Sequence, residues 1–404
     1  MPKTRQAVEQ AAQLKIYTPQ LDKIEARLLE WTEQERYQAL VIKAMRHGVP
    51  IFEGCYGTST HEYGVQMDTI FPVASNTKPI IAALLFILLE DGRLELNDPI
   101  KKFIPEYDGG GKENIRIWHF LTHTSGIIDD QFYKTVDEYV KQELKIEHPG
   151  EDAEEKDWDE YNNKIKKALE LPEDTDSRKV WNIISYKGGK VQHEPRKVMS
   201  YCNHGYQVLK EVVCAASGES IDNYAQRVLF GPLGMCDTHW VLPEHKWGRT
   251  LGRNEKCTGY GWINSEGNYT SESGSGGLKT TANDMARFCE MILGGGKYND
   301  KRVLSPAGVR EMTDNYNNYL PGESDSWSLG WNYRGRKVDN EGVLRSPRAI
   351  EHGGWAGHRI MVDPERKISV ILYFGEYDPA QNIKAAGMYD EFGRINNMII
   401  AACE

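Results

Sequence analysis

Ten consecutive apolar residues, 80–89, follow the segment Val73-Ala74-Ser75-Asn76-Thr77-Lys78-Pro79. A run that is apolar on every side is typical of a buried helix, and it is too short to cross a bilayer, which takes roughly 20 residues. Pro79 fits the first turn of such a helix, where the backbone N–H groups have no intrahelical acceptor, and Gly92 is suited to end it. The sequence therefore predicts a core helix with Ser75 at its N-terminus.

Ser75 and Lys78 are three residues apart, so we expect them on one face of this helix. The outward N–H groups and the positive end of the helix dipole favour negative charge near the serine oxygen. Burial disfavours the charged form of a lysine, which makes Lys78 a candidate proton acceptor for the Ser75 hydroxyl. The alternative interpretation is an N-capping serine followed by a solvated lysine.

The length, apolar content and net charge of the chain limit which classes of protein and which partners are plausible. The 404 residues suffice for one large or two packed domains, and 40% apolar with 10% aromatic residues is typical of a globular protein. The formal net charge is −10 and no basic stripe is present, so nucleic acid and anionic membranes are poor partners. We expect a small-molecule or short-peptide substrate, and the oligomeric state is left open.

The N-terminal residues form no apolar signal region, and the seven scattered cysteines contain no C-x-x-C pair. These features predict a cytoplasmic protein with reduced thiols, with removal of an earlier signal peptide as the alternative. His119 and His123 have the i, i+4 spacing of a metal pair, but no third ligand is evident. We expect no metal and no cofactor, and a structural role for His123.

Strand-like segments lie near both ends of the chain. Thr18-Pro19 starts an amphipathic helix that runs to about Glu33, and 39–45 and 51–56 form a hairpin around His47-Gly48. The C-terminal strands are expected at 329–333, 349–351, 359–362 and 368–374, before a final helix at 388–402. The predicted fold class is α+β: a mostly antiparallel sheet built from both termini, flanked by helices, with an inserted helical region.

The predicted domains follow from this order. Residues 1–80 and 276–404 form the α/β sheet domain, and 81–275 form the helical domain. The helical domain includes an acidic insertion at about 127–198, where 151–176 holds eleven acidic and four basic residues. We interpret the insertion as exposed helices with a solvated acidic face; a lid that selects substrates is the alternative.

Three short motifs occur in order along the chain: Ser75-x-x-Lys78, Tyr201-Cys202-Asn203 and His352-Gly353-Gly354. Supporting matches are Leu121-Thr122-His123-Thr124-Ser125-Gly126 and Gly276-Gly277-Leu278. Together they resemble the serine β-lactamase-like superfamily, which includes class C β-lactamases, D-alanyl-D-alanine carboxypeptidases, D-aminopeptidases and esterases of the same fold.

The resemblance implies a catalytic role for three residues. Ser75 would attack a carbonyl to form an acyl-enzyme, Lys78 would assist its deprotonation, and Tyr201 would be the second proton-transfer group. Asn203 would hydrogen-bond Lys78 or the substrate amide. A core tyrosine tethered by its hydroxyl is the alternative for Tyr201.

The third motif is expected to bind substrate. His352 would orient or polarise it, and Gly353 and Gly354 would let it lie close to a strand backbone. By resemblance, the backbone N–H groups of Ser75 and Trp355 would form the oxyanion hole.

His352 replaces the lysine that β-lactamases of the family usually carry, and histidine is largely neutral at pH 7. We therefore expect a serine hydrolase acting through an acyl-enzyme on a small ester, amide or D-amino-acid-type substrate. The alternative is an acyltransferase that uses the same acyl-enzyme. A β-lactamase and a non-catalytic binding protein are the weaker alternatives.

Overall fold

The computed structural model describes residues 14–150, 153–254, 261–322, 325–376 and 388–403. They belong to two compact units: one extends to Arg93 and resumes at Ser217, and the other spans Leu94–Ala216. In chain order the helices are α1 Thr18–Glu33, α2 Thr77–Glu90, α3 Ile117–Leu121, α4 Asp129–Gln142, α5 Glu155–Ala168, α6 Ser177–Gly188, α7 Asn203–Ser217, α8 Ile221–Ala225, α9 Gly231–Leu233, α10 Glu266–Tyr269, α11 Ala282–Leu293, α12 Pro306–Thr313 and α13 Met388–Cys403.

The first unit contains the strands β1 Tyr37–Arg46, β2 Val49–Gly57, β3 Phe71–Pro72, β4 Lys279–Thr280, β5 Lys297–Tyr298, β6 Lys301–Arg302, β7 Asn332–Tyr333, β8 Ile350–Gly353, β9 Arg359–Asp363 and β10 Ile368–Glu376. Six of them form an antiparallel sheet with the strand order β2-β1-β10-β9-β8-β7. The others form two-stranded pairs, β3 with β4 and β5 with β6. The predicted α+β class, with an antiparallel sheet drawn from both ends of the chain, is confirmed.

Both terminal helices pack on one face of this sheet. Helix α1 begins with a proline in its first turn and buries Leu21, Ile24, Leu28 and Trp31 at helical spacing. These side chains share one apolar core with α13 and with β1 and β10. The hairpin turn between β1 and β2 is His47-Gly48, with φ of 51° and 78°, which suits the right-handed twist of the strands.

Helix α2 is the apolar helix predicted after Pro79. Every residue from Thr77 to Leu88 is buried, and the chain leaves the helix through Gly92 at φ 70°. The helix packs against α12 and against the π-helical turn Gln226–Phe230. These contacts bury all sides of α2, as its uniform hydrophobicity requires.

The boundaries of the two units differ from the expected domains. Residues 81–93 and 217–275, which we assigned to the helical domain, belong to the unit that contains the sheet. Within that unit the backbones of His239 and Lys279 exchange two hydrogen bonds, and the Gln38 side chain donates to Gly252 O at 2.7 Å. Such long-range pairing does not show in local hydrophobic patterns, which is why the expected domain boundaries differ from those of the two units.

The second unit is helical and contains the segment predicted as an insertion. Its helices α4, α5 and α6 lie within 127–198. Helix α5 buries Tyr161 and Ile165 and exposes Glu155, Asp159 and Glu160. A lid that selects substrates remains the untested alternative to this interpretation.

The described helices include none that is both long and apolar enough to span a membrane. The six cysteines within the described ranges are free thiols. Cys257, which we also expected to be reduced, lies outside those ranges.

Candidate active site

Ser75 lies in a short 3-10 turn, Ala74–Asn76, that leads directly into α2. Ala74 has φ 47°, a left-handed conformation that is uncommon for a residue with a Cβ atom. Thr77 Oγ1 donates to Ala74 O at 2.7 Å and accepts from Leu278 N at 3.1 Å, and Val73 N donates to Leu278 O at 3.0 Å. The strained turn is therefore held in place by the segment before β4.

Lys78 is fully buried in the first turn of α2. Its Nζ donates to Ser75 Oγ at 2.9 Å and to Ser275 O at 2.8 Å. The N-cap of α2 is Asn76, and no side chain caps the helix. The structure thus brings together the predicted serine–lysine pair, and the alternative of a capping serine with a solvated lysine does not describe it.

The glycine-rich turn 274–277 supplies an acceptor for Lys78, the Ser275 carbonyl oxygen. A Cβ atom on Gly277 would lie 2.6–2.7 Å from backbone atoms of Ser271 and Ser273, so no other residue fits there without a shift of backbone. A contact between this turn and Lys78 was not predicted from the sequence. The available signal was its Gly-Gly-Leu pattern, but no spacing rule predicts that its Ser275 carbonyl meets a lysine almost 200 residues earlier.

His352 lies on β8 and is buried. Desolvation, with the nearby charge of Lys78, lowers its pKa from 6.5 to about 3. Its Nδ1 lies 2.9 Å from the carbonyl oxygen of Gly353, so the neutral ring carries its proton on Nδ1. His352 is therefore an uncharged group at neutral pH, as the sequence predicted.

Gly354 and Trp355 follow His352 at the end of β8. A Cβ atom on Gly354 would lie 2.4 Å from the carbonyl oxygen of Val73, two residues before Ser75. Trp355 starts the 3-10 turn Trp355–Gly357, and its side chain is 46% exposed. The structure thus places the predicted residues His352 to Trp355 against the turn that carries Ser75.

Tyr201 and Asn203 belong to the second unit, at the start of α7. Tyr201 is 39% exposed, with its ring centroid 4.4 Å from that of His123, so it is not a core tyrosine. His123 is buried and its Nδ1 accepts from Cys202 N at 3.0 Å. These contacts give His123 the structural role that we predicted.

Asp129 is a residue of this segment that our sequence analysis missed. Its Oδ2 accepts from Asn203 N at 2.7 Å, and its Oδ1 lies 3.1 Å from the Cys202 thiol. The carboxylate therefore fixes the first turn of α7, next to Tyr201. It belongs to no motif, and 74 residues separate it from Asn203.

Within the described residues, no group of three or more His, Cys, Asp or Glu side chains is arranged so that it could hold a metal ion. His119, one half of the i, i+4 pair, accepts a hydrogen bond at Nδ1 from Arg116 N at 3.0 Å.

Three comparisons identify relatives of this chain. The family model described as Beta-lactamase matches residues 21–390. A putative D-alanyl-D-alanine carboxypeptidase of Escherichia coli strain K12 is 23% identical over 335 residues, which cover 75% of this chain and 68% of that protein.

Among solved structures, simvastatin synthase (LovD) from Aspergillus terreus is similar with a TM-score of 0.69 and 17% identity, covering 95% of this chain and 98% of that one. EstCE1, described as a hydrolase with promiscuous acyltransferase activity, has a TM-score of 0.68 and 18% identity at the same coverage of both chains. At these identities the structural similarity establishes the fold.

Proposed function

The chain belongs to the beta-lactamase family, whose members are serine hydrolases, and we propose that it acts through an acyl-enzyme on Ser75. The proposed substrates are small esters, amides or D-amino-acid-type compounds. The observation that carries this proposal is the hydrogen bond of 2.9 Å between Lys78 Nζ and Ser75 Oγ. A serine hydroxyl is a weak nucleophile until an adjacent base takes its proton, and a buried amine at this distance is suited to that task.

In the proposed acylation, Lys78 acts from its uncharged form, in which Nζ accepts from the Ser75 hydroxyl instead of donating to it, and takes the Ser75 proton as Oγ attacks the substrate carbonyl. The carbonyl oxygen gains negative charge, which the backbone N–H groups of Ser75 and Trp355 would stabilise. His352 would orient the substrate as a neutral polar group. Water would then release the acyl group and regenerate Ser75.

Tyr201 and Asn203 enter the proposal through their sequence pattern. As the bond between the carbonyl carbon and the leaving group breaks, Tyr201 would give its phenolic proton to the leaving group, and it would regain a proton from the water that later attacks the acyl-enzyme. Asn203 would hydrogen-bond Lys78 or the substrate amide. The exposure of the Tyr201 ring is compatible with contact to substrate. We expect Tyr201→Phe to slow acylation by about 10²- to 10⁴-fold, the usual contribution of general acid–base catalysis.

The neutral state of His352 bears on the substrate class. A lysine at this position would offer a permanent cation to the carboxylate of a β-lactam antibiotic, whereas His352, with a pKa of about 3, does not. We therefore place β-lactam hydrolysis behind ester and amide hydrolysis. The D-alanyl-D-alanine carboxypeptidase name of the bacterial relative supports a D-peptide as one substrate to test.

Acyl transfer is the second candidate function. Its support is the similarity of the fold to EstCE1, described as a hydrolase with acyltransferase activity, and to simvastatin synthase. In that reaction an alcohol or amine, instead of water, intercepts the same acyl-enzyme. A non-catalytic binding protein is the remaining alternative, and the close pairing of Lys78 with Ser75 argues against it.

The test is intact-protein mass spectrometry after exposure to an activated ester and, separately, to a fluorophosphonate. We expect one adduct on the native chain and none on Ser75→Ala. Ser305→Ala is the matched control, because Ser305 also starts a helix but has no lysine three residues later, and it should keep the adduct. The lifetime of the ester adduct with and without an added alcohol separates hydrolase from transferase. Absence of any adduct on the native chain would overturn the proposal.

A further inference from the structure

Arg359 holds the turn that follows β8. It is the first residue of β9, pairs with Gly353 in the sheet register and is 5% exposed. Its Nη1 donates to the carbonyl oxygens of Gly354, at 3.3 Å, and His358, at 3.1 Å. One guanidinium group therefore bridges the two ends of the turn 354–358, which Gly354 N also closes with a bond of 2.6 Å to His358 O.

The peptide bond between Gly354 and Trp355 is the important element of this turn. Its carbonyl oxygen is the Gly354 oxygen, which accepts from Arg359 Nη1 at 3.3 Å and from Gly357 N at 3.1 Å. Its N–H is the Trp355 donor of the proposed oxyanion hole. A trans peptide is planar and its C=O and N–H point in opposite directions. A cation fixed at the carbonyl end therefore fixes the direction of the N–H end and polarises it.

Gly353 provides the space for this contact. A Cβ atom on Gly353 would lie 2.4 Å from Arg359 Nη1 and 2.8 Å from its Cζ. The guanidinium thus lies against the glycine Cα, in space that any larger residue would occupy. This contact gives the second residue of His352-Gly353-Gly354 an intramolecular function.

The guanidinium also contacts a carboxyl group, that of Glu341. Arg359 Nε lies 3.4 Å from Glu341 Oε1, and Glu341 interacts in turn with Glu351 on β8. The Asn332 amide donates to Glu351, and Lys337 donates to Asn332 at 2.6 Å. The Glu341 contact holds the Arg359 side chain at a second point, besides its bonds to the turn, and limits its freedom to move away from Gly354.

We infer that Arg359 is a positioning residue of the active site, which aims and polarises the Trp355 N–H through the carbonyl group of Gly354. The inference rests on the proposed function, because it assigns Arg359 a part in the acylation of Ser75. Arg359 does not touch the substrate in this scheme. Its effect is therefore on the turnover rate more than on substrate binding.

The test compares Arg359→Gln and Arg359→Lys with the matched control Arg334→Gln. Arg334 also donates to two backbone carbonyls, those of Gly335 and Val343, but not in this turn. We expect Arg359→Gln to lower kcat for an activated ester by about 10- to 100-fold, somewhat less than direct removal of an oxyanion donor costs, with KM changed by less than about threefold. Arg359→Lys keeps the charge and should recover part of kcat.

A second measurement does not depend on catalysis. Hydrogen–deuterium exchange at the Trp355 amide should be faster in Arg359→Gln than in the native chain and unchanged in Arg334→Gln. If the native chain forms no Ser75 adduct, the proposed function fails. Exchange at the Trp355 amide then decides alone whether Arg359 positions this N–H, and an unchanged exchange rate in Arg359→Gln would show that it does not. If the native chain is active, a kcat of Arg359→Gln within about twofold of native, or an equal loss in Arg334→Gln, overturns it.

Discussion

Gly354 shows how closely two backbones approach beside Ser75. The carbonyl oxygen of Val73 occupies the place that a Cβ atom on Gly354 would take. Gly353 and Gly354 were predicted to admit a substrate to the strand; in the structure each also makes room for another part of the protein. A larger residue at Gly354 would push against the backbone two residues before Ser75.

We predict that Gly354→Ala reduces fluorophosphonate labelling of Ser75 by at least about tenfold and destabilises the protein by about 1–3 kcal/mol, the usual cost of overpacking. Urea unfolding and the labelling rate measure the two effects. Gly248→Ala is the control, because a Cβ atom there meets nothing within 4 Å, and we expect little change. Native labelling and stability in Gly354→Ala would contradict the observed close approach.

A substitution at Lys78 can separate the contribution of this residue to catalysis from its contribution to stability. Lys78 is buried without exposure, and its amine interacts with Ser75 Oγ and Ser275 O. A buried amine carries a desolvation cost that a methionine of similar length does not, and this gain offsets the loss of the hydrogen bonds of Lys78.

We therefore predict that Lys78→Met slows labelling of Ser75 by about 10²- to 10⁴-fold while the melting temperature stays the same or rises. The labelling rate and a thermal melt measure the two quantities. Lys112→Met is the matched control: Lys112 is also buried and donates to the Gly189 carbonyl, within the other unit. It should keep the native labelling rate. Rapid labelling of Lys78→Met would exclude Lys78 as the base.

At the scale of elements, α11 starts directly after the segment that surrounds the Ser75 turn. Thr281 is its N-cap, and the Thr281 hydroxyl accepts from Asp284 N at 3.1 Å. The Asp284 carboxylate accepts from Asp237 N and from the Thr238 hydroxyl. The first turn of α11 is thus hydrogen-bonded to the segment that contains Asp237 and Thr238.

We predict that Thr281→Val costs about 0.5–2 kcal/mol of unfolding free energy, because it removes the capping oxygen and keeps the shape of the side chain. Thr281→Ser keeps the oxygen and should lose less. Urea denaturation of both variants makes the comparison. Equal stability of the valine and serine variants would show that the cap contributes nothing.

Strand β7 pairs with Ile350 and Glu351 but stops short of His352 and Gly353. The end of β8 next to Ser75 therefore lies beyond its pairing with β7. In a longer β7, backbone pairing would cover this end of β8. The short strand is thus compatible with the proposed binding of substrate along the backbone.

At the scale of the whole molecule, buried carboxyl groups link folding to pH. Burial and the Glu351 charge hold the pKa of Glu341 well above its usual range, against the opposing charges of Arg359 and Arg345. Above the ordinary glutamic acid pKa of 4.5, the folded chain thus retains a proton that the unfolded chain has released. Stability from this group is complete at acid pH and falls as pH rises towards the folded pKa.

We predict that Glu341→Gln, which mimics the protonated acid, flattens the decline of melting temperature with rising pH. Melting curves of both proteins at a series of pH values from about 5 to 9 give the comparison. Glu365→Gln, a change at an exposed carboxylate, is the control and should follow the native curve. Parallel curves for native and Glu341→Gln would contradict a raised pKa for Glu341.

The sequence by itself determined the elements whose signal is local. The uniform hydrophobicity of 80–89 specified the buried helix α2, and period-3.6 spacing specified α1. The i, i+3 spacing of Ser75 and Lys78 already required their proximity once α2 formed. The resemblance carried by three short motifs indicated the fold because their order along the chain is restrictive.

The tertiary structure alone decided the contacts between distant segments. The Ser275 carbonyl at Lys78, the Val73 carbonyl at Gly354 and the Arg359 guanidinium at Gly353 depend on how strands and turns pack. Periodicity and residue type do not encode such approaches, since in each of them one partner is a backbone atom that every residue possesses. For the same reason, the assignment of 217–275 to the sheet unit emerged only from the folded chain.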